Sequence, residues 1–165
     1  MKTLKNEIIE AVKYDDVERI EALLNEGCDV NGTDEEGRPL LLLAVKGGAS
    51  REAVELLLER GADLGWTTEE GVGLLDEAVE RNRIDLAELF IERGIDPAVT
   101  RRGSGMTALM LAASFDYIDM MELLCEKGAD LFAVDGQGLS ASDYARKLGR
   151  IKAKRWLDEK IANPF

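Results

Sequence analysis

GMTALMLAASFDYIDMMELLCEKGADL, residues 105–131, decides how this chain is read. Thr107 stands where a helix cap is needed, and Leu109, Ala112 and Ala113 follow on one helical face. Phe115 and Asp116 interrupt the pattern. Ile118, Met121 and Leu124 resume it, and Gly128 can end a helix in the left-handed conformation. The stretch predicts a helix, a tight turn, a second helix and a glycine stop.

The same punctuation recurs in both directions. Gly-x-Asp begins at Gly27, Gly61, Gly94 and Gly128, with spacings of 34, 33 and 34 residues. Ala11, Ala44, Ala78, Ala112 and Ala145 keep intervals of 33, 34, 34 and 33. An alanine fixed on one helix face lets neighbouring helices approach closely. Two markers with one period near 33 residues define a repeat array of loop and helix pair.

On these residues the chain resembles the ankyrin-repeat family over essentially its whole length. The family's G-x-T-P-L-H-x-A is carried as Gly105 Met106 Thr107 Ala108 Leu109 Met110 Leu111 Ala112, and its G-A-D-V-N as Gly27 Cys28 Asp29 Val30 Asn31 and Gly61 Ala62 Asp63 Leu64. Pro39-Leu40 and Gly73-Leu74 depart from the pattern, and the family's histidines are missing because the chain has none. The resemblance implies an all-α repeat solenoid, an ankyrin array of helix-turn-helix repeats joined by hairpin-like loops. One domain over residues 1–165 is expected, with repeats at 1–32, 33–66, 67–99, 100–133 and 134–165, the first and last acting as caps. Helices are expected at 6–14 and 17–25 in the first repeat, and one extra residue near 47–51 between the helices of the second.

Composition agrees with an ordered protein: 45% of residues are hydrophobic, with no apolar run near the ~20 residues of a membrane span. The opening MKTLKNEIIEAVK mixes charge with apolar residues and lacks the apolar core of a signal peptide. A cytoplasmic location is expected. Cys28 and Cys125 fall in separate repeats and are expected to remain reduced, which agrees with that location. The sequon Asn31-Gly32-Thr33 then reads as loop chemistry.

The net charge is −12, and residues 1–100 hold 24 acidic against 11 basic side chains. Such a field disfavours nucleic acid and anionic membranes and steers a basic partner. Residues 150–160 reverse the sign with Arg150, Lys152, Lys154, Arg155 and Lys160, around a Trp156 expected in the core.

For catalysis the inventory is poor. Without histidine, the usual general base and commonest metal ligand are missing. Glu35-Glu36 and Glu69-Glu70 are adjacent pairs on solvated turns, where nothing would separate their pKa values into acid and base. Residues 34–37 supply a fraction of a calcium loop, and Gly103-Ser104-Gly105 lacks the lysine of a phosphate loop. No enzymatic activity, cofactor or metal is expected.

Recognition is what the resemblance implies, through the groove of turn tips and first helices. Carried onto this chain, the tips offer Glu35, Glu36, Trp66, Glu69, Glu70, Arg101 and Arg102. The first helices and their ends offer Tyr14, Glu77, Glu80, Arg81 and Phe115. The expected function is that of a monomeric cytoplasmic adaptor or inhibitor binding a basic protein. An immunity or antitoxin role against a basic toxin enzyme is a sharper form of it. The alternative from another class is a structural or assembly subunit of a permanent complex.

Overall fold

The expected helices are present in a computed structural model, which describes residues 3–163. They run in pairs: α1 (Leu4–Lys13) with α2 (Val17–Asn25), α3 (Leu40–Lys46) with α4 (Arg51–Glu59), and α5 (Leu74–Glu80) with α6 (Ile84–Glu92). α7 (Ala108–Ser114) pairs with α8 (Ile118–Glu126), and α9 (Ala141–Lys147) with α10 (Ile151–Ala162). The helices of each pair pack on one another, so the fold is an all-α solenoid of helix-turn-helix repeats. The chain divides into two compact units, Met1–Trp66 and Thr67–Phe165. Within the first, α1 packs on α3 and α2 on α4; within the second, α5 packs on α7, α7 on α9, α6 on α8 and α8 on α10.

Local chemistry sets the helix ends. Thr107 Oγ1 accepts from Met110 N at 3.3 Å, so the predicted cap is made. In α9 the capping is reciprocal: Ser140 Oγ accepts from Asp143 N at 3.2 Å, and the Asp143 carboxylate accepts from Ser140 N at 2.9 Å. α1 starts two residues before the expected 6, because Thr3 Oγ1 accepts from Asn6 N and caps the helix there. The second helices of the first four repeats end at Gly27, Gly61, Gly94 and Gly128, whose φ values run from 93° to 113°. The turn between paired helices spans residues 14–16, 81–83, 115–117 and 148–150, but 47–50 in the second repeat, one residue longer as expected. The left-handed position of these turns is held by Asp15, Gly48, Asn82, Asp116 and Gly149, residue types that tolerate it.

The aspartates at that position have a second task. Asp15 Oδ1 accepts from both Ser50 N and Ser50 Oγ at 3.0 Å, and Asp116 Oδ1 accepts from Ala153 N at 2.6 Å. Each turn thus anchors the start of the next repeat's second helix. For α10 the help is needed, since its own N-cap, Arg150, has no acceptor to offer.

The core follows one register. The marker alanines Ala11, Ala44, Ala78, Ala112 and Ala145 are all 5% exposed or less. Glu7 and Arg19 stand where the other repeats bury Leu40, Leu74, Ala108 and Ala141, and Ala53, Leu86, Met120 and Ala153; the two form an ion pair at 2.6 Å. In the fifth repeat Arg146 replaces the buried Val12, Val45, Val79 and Ala113, and Lys154 replaces Ile20, Val54, Ala87 and Met121. Arg146 pairs with Asp143 and Lys154 with Asp158. Trp156, expected in the core, is only half-buried, with the Lys160 ammonium 5.4 Å from its ring centroid.

Replacing Asp116 by alanine removes both the anchor on α10 and the residue suited to its left-handed φ of 63°. We expect Asp116→Ala to cost about 1–2 kcal/mol in urea unfolding. Asp116→Asn, which keeps an acceptor and tolerates the same φ, should recover most of that loss.

Candidate functional site

In the N-terminal unit the exposed tip is a hairpin closed by a Thr33–Pro39 bridge. Asp34 organises it: one carboxylate oxygen accepts from Glu36 N at 3.0 Å and Arg38 N at 2.9 Å, and the other accepts from Arg38 Nε at 2.8 Å. With the aspartate turned inward, Glu35 and Glu36 point to solvent. Glu36 lies 3.4 Å from Arg38, an exposed pair of small energetic weight. Tyr14 follows α1 at 72% exposure, with Lys13 Nζ 5.6 Å from its ring centroid. Trp66, at the end of this unit, is half-buried.

The C-terminal unit repeats the device with different atoms. Thr68 replaces the organising aspartate, its hydroxyl accepting from Val72 N at 3.1 Å, while Thr67 and Gly73 form the bridge. Glu69 and Glu70 stand exposed on this tip. The following loop locks onto it, as Gly103 N donates to Glu70 O at 3.1 Å. Gly71 is obligatory here: its φ is +83°, and an added Cβ would lie 1.9 Å from Arg101 O. The longer loop is closed by Thr100, whose hydroxyl donates to Met106 O at 2.7 Å. Exposed Arg101 and half-buried Arg102 are therefore brought beside the Glu69-Glu70 tip.

Glu80 and Arg81 are exposed at the end of α5, but Glu77 is not where the sequence suggested. Glu77 is 8% exposed, with Arg81 Nε 3.8 Å from its carboxylate, and it cannot meet a partner directly. The inner side of α5 carries a second carboxylate: burial lifts Asp76 above the ordinary range, against the Gly73 amide it accepts at 2.9 Å and the charge of Arg102. Phe115 is 39% exposed and stacks on Tyr117 with centroids 5.3 Å apart. Tyr14, Arg81 and Phe115 occupy one register position, the C-cap of the first helix, shared by Gly47 and Leu148.

Sequence reasoning missed Val99, Phe132 and Val134 on the loops of the C-terminal unit, exposed at 64%, 62% and 57%. A signal existed for two of them. Phe132 aligns with Asn31, Gly65 and Ala98, and Val134 with Thr33, Thr67 and Thr100.

The cysteines are free. Burial pushes the Cys125 thiol up to about 11, so at neutral pH it stays protonated and unreactive. No group of three or more His, Cys, Asp or Glu among the described residues could hold a metal ion. No helix among them is long and apolar enough to cross a membrane.

Paired short helices, glycine stops and hairpin tips define a repeat scaffold, and comparison with known proteins places it. A family model described as ankyrin repeats (3 copies) matches residues 8–101, and one described as ankyrin repeats (many copies) matches residues 91–145. The chain belongs to the ankyrin-repeat family. A protein of Treponema pallidum (strain Nichols), described as ankyrin repeat-containing, is 31% identical over 138 residues, covering 84% of this chain. The chain spans 46% of that relative's length. The ankyrin fold is a non-catalytic scaffold whose general role is protein–protein interaction.

The loop before α9 offers a pH test of how the hairpins are held. Asp135, 8% exposed, accepts from Tyr144 Oη, from Leu139 N at 3.0 Å and from Gln137 N at 2.9 Å. The Tyr144 hydroxyl, then these amides, hold its carboxyl below the usual carboxylate range. A depressed native pKa contributes stability that is present above the unfolded value of about 3.9 and is lost as pH falls through the native one. Asp135→Asn should therefore melt at lower temperature than the natural chain at pH 7, and thermal scans should show the gap narrowing on acidification below about pH 4.

Proposed function

We propose that the chain is a protein-binding adaptor or inhibitor whose acidic turn tips dock a basic protein. The observation that carries this reading is that each compact unit holds an exposed glutamate pair on a closed tip, Glu35-Glu36 in one and Glu69-Glu70 in the other. Because Asp34 and Thr68 fix the tip backbones by side-chain hydrogen bonds, the carboxylates are presented with little further ordering on binding. Glu80 and Arg81 extend the surface from α5, and Trp66 and Tyr14 supply aromatic area of the kind in which binding energy concentrates. The charge of −12 favours a cationic partner and opposes nucleic acid. We place the protein in the cytoplasm as a monomer. An immunity or antitoxin role against a basic toxin enzyme is the narrowest form of this reading and rests on charge and size.

A second reading, a subunit of a permanent assembly, draws on Val99, Phe132 and Val134. Obligate interfaces are large and apolar, and these three side chains are exposed on loops of one unit.

Affinity capture from the native cell lysate at low and high salt separates the two. The adaptor reading expects a basic protein retained by the natural chain, weakened by salt, and lost by a Trp66→Ala, Glu69→Lys, Glu70→Lys variant. Rate measurements on the recovered pair should show the charge reversals acting mainly on association. Retention that ignores both salt and the triple variant would end the acidic-tip reading.

A further inference from the structure

We infer that the two adjoining interhelical turns at residues 114–117 and 148–153 form a second docking surface of opposite charge, which takes an acidic protein segment carrying apolar anchors. This goes beyond the acidic tips and uses none of their residues: it is built on the interhelical turns of the last two repeats, whereas the Glu69-Glu70 tip of the same unit precedes α5.

The turns are held together by hydrogen bonds between a side chain of one and the backbone of the other. Arg150 Nε donates to Ser114 O at 2.7 Å, and Ala153 N donates to Asp116 Oδ1 at 2.6 Å. A fixed pair of turns then presents three apolar side chains to water. Phe115 is 39% exposed on its Tyr117 partner, Leu148 is 50% exposed and Ile151 is 71% exposed. Ile151 is unlike its counterparts: Val17, Arg51, Ile84 and Ile118 open the other second helices and are all half-buried. A preformed apolar ridge of this kind needs no reorganisation to receive a partner.

Charge identifies the partner. Residues 144–163 hold seven basic side chains against two acidic ones. Four of the seven are engaged: Arg146 with Asp143, Arg150 with Ser114 O, Lys154 with Asp158, and Lys160 over Trp156. Lys147, Lys152 and Arg155 are exposed, and Lys152 and Arg155 form no ion pair among the described residues. They bracket Leu148 and Ile151 in sequence, so cations flank the apolar ridge. The exposed acids nearby in sequence are Asp119 and Glu122 on α8 and Glu159 on α10. A nucleic acid fits less well than a protein, since its affinity comes from phosphate contacts, to which Leu148 and Ile151 add nothing, and a chain at −12 repels an extended polyanion. A short acidic peptide with aliphatic or aromatic residues samples only the local field and satisfies both halves of the surface.

The test is selection of random peptides displayed on phage against the whole chain, followed by anisotropy with the recovered peptides, fluorescently labelled. We expect sequences with Asp or Glu flanking Leu, Ile, Phe or Trp, bound more weakly at high salt. A Leu148→Ser, Ile151→Ser variant and, separately, a Lys152→Glu, Arg155→Glu variant should each lose roughly tenfold in affinity. Both pairs are exposed, so circular dichroism should match the natural chain. A Glu69→Lys, Glu70→Lys variant should bind these peptides as the natural chain does, which keeps this surface distinct from the acidic tips. The inference is overturned if no acidic peptides are recovered, or if either turn variant binds them undiminished. It is also overturned if a single-stranded oligonucleotide competes for the site, or if the turn variants abolish self-association of the natural chain.

Discussion

The constraint on which the structure depends is the narrow space at one position of each first helix, filled by Ala11, Ala44, Ala78, Ala112 and Ala145. A methyl group there lets the helices of one unit approach closely, and the surrounding leucines, valines and methionines complete the burial. Once that spacing is set, the interhelical turn has little freedom. It needs a left-handed residue, and Asp15 and Asp116 use the position to anchor the next second helix.

What the register does not use is available for recognition. The tips lie outside it, closed by Asp34, Thr68 and Asp135 through their own short-range hydrogen bonds, so the residues between can change without disturbing the core. The turns after the first helices are fixed in backbone and free in side chain: tyrosine, glycine, arginine, phenylalanine and leucine all occupy the same C-cap. Opposite electrostatics therefore coexist on one scaffold, glutamates at the tips and lysines around the last turn.

The fold was legible because its two punctuators are backbone requirements. Glycine at a positive φ and alanine at a close approach leave one-letter marks at a fixed period, and Thr107 announced its helix. Exposure of the candidate residues was legible where it follows from turn geometry, as at Glu35, Glu36, Glu69 and Glu70. It failed at Glu77, where a carboxylate reads as solvent-facing although neighbouring structure buries it. Nor could the pattern reveal Asp116 capping Ala153 or the Glu69-Glu70 tip abutting Arg101, since those contacts join residues far apart in sequence. Ile151 was hidden for a related reason: its apolar side chain matches its counterparts, and only the structure separates one that is covered from one that is not.

The central claim is that the buried register carries the stability and leaves the tips to recognition. Equilibrium urea unfolding of Ala112→Leu beside a Glu35→Lys, Glu36→Lys, Glu69→Lys, Glu70→Lys variant measures it directly. The account predicts a loss of about 1–3 kcal/mol for the leucine, which adds bulk at a fully buried position. For the tip variant it predicts stability within about 0.5 kcal/mol of the natural chain or above it. A leucine variant as stable as the natural chain, or a tip variant that unfolds as readily as the leucine one, would contradict it.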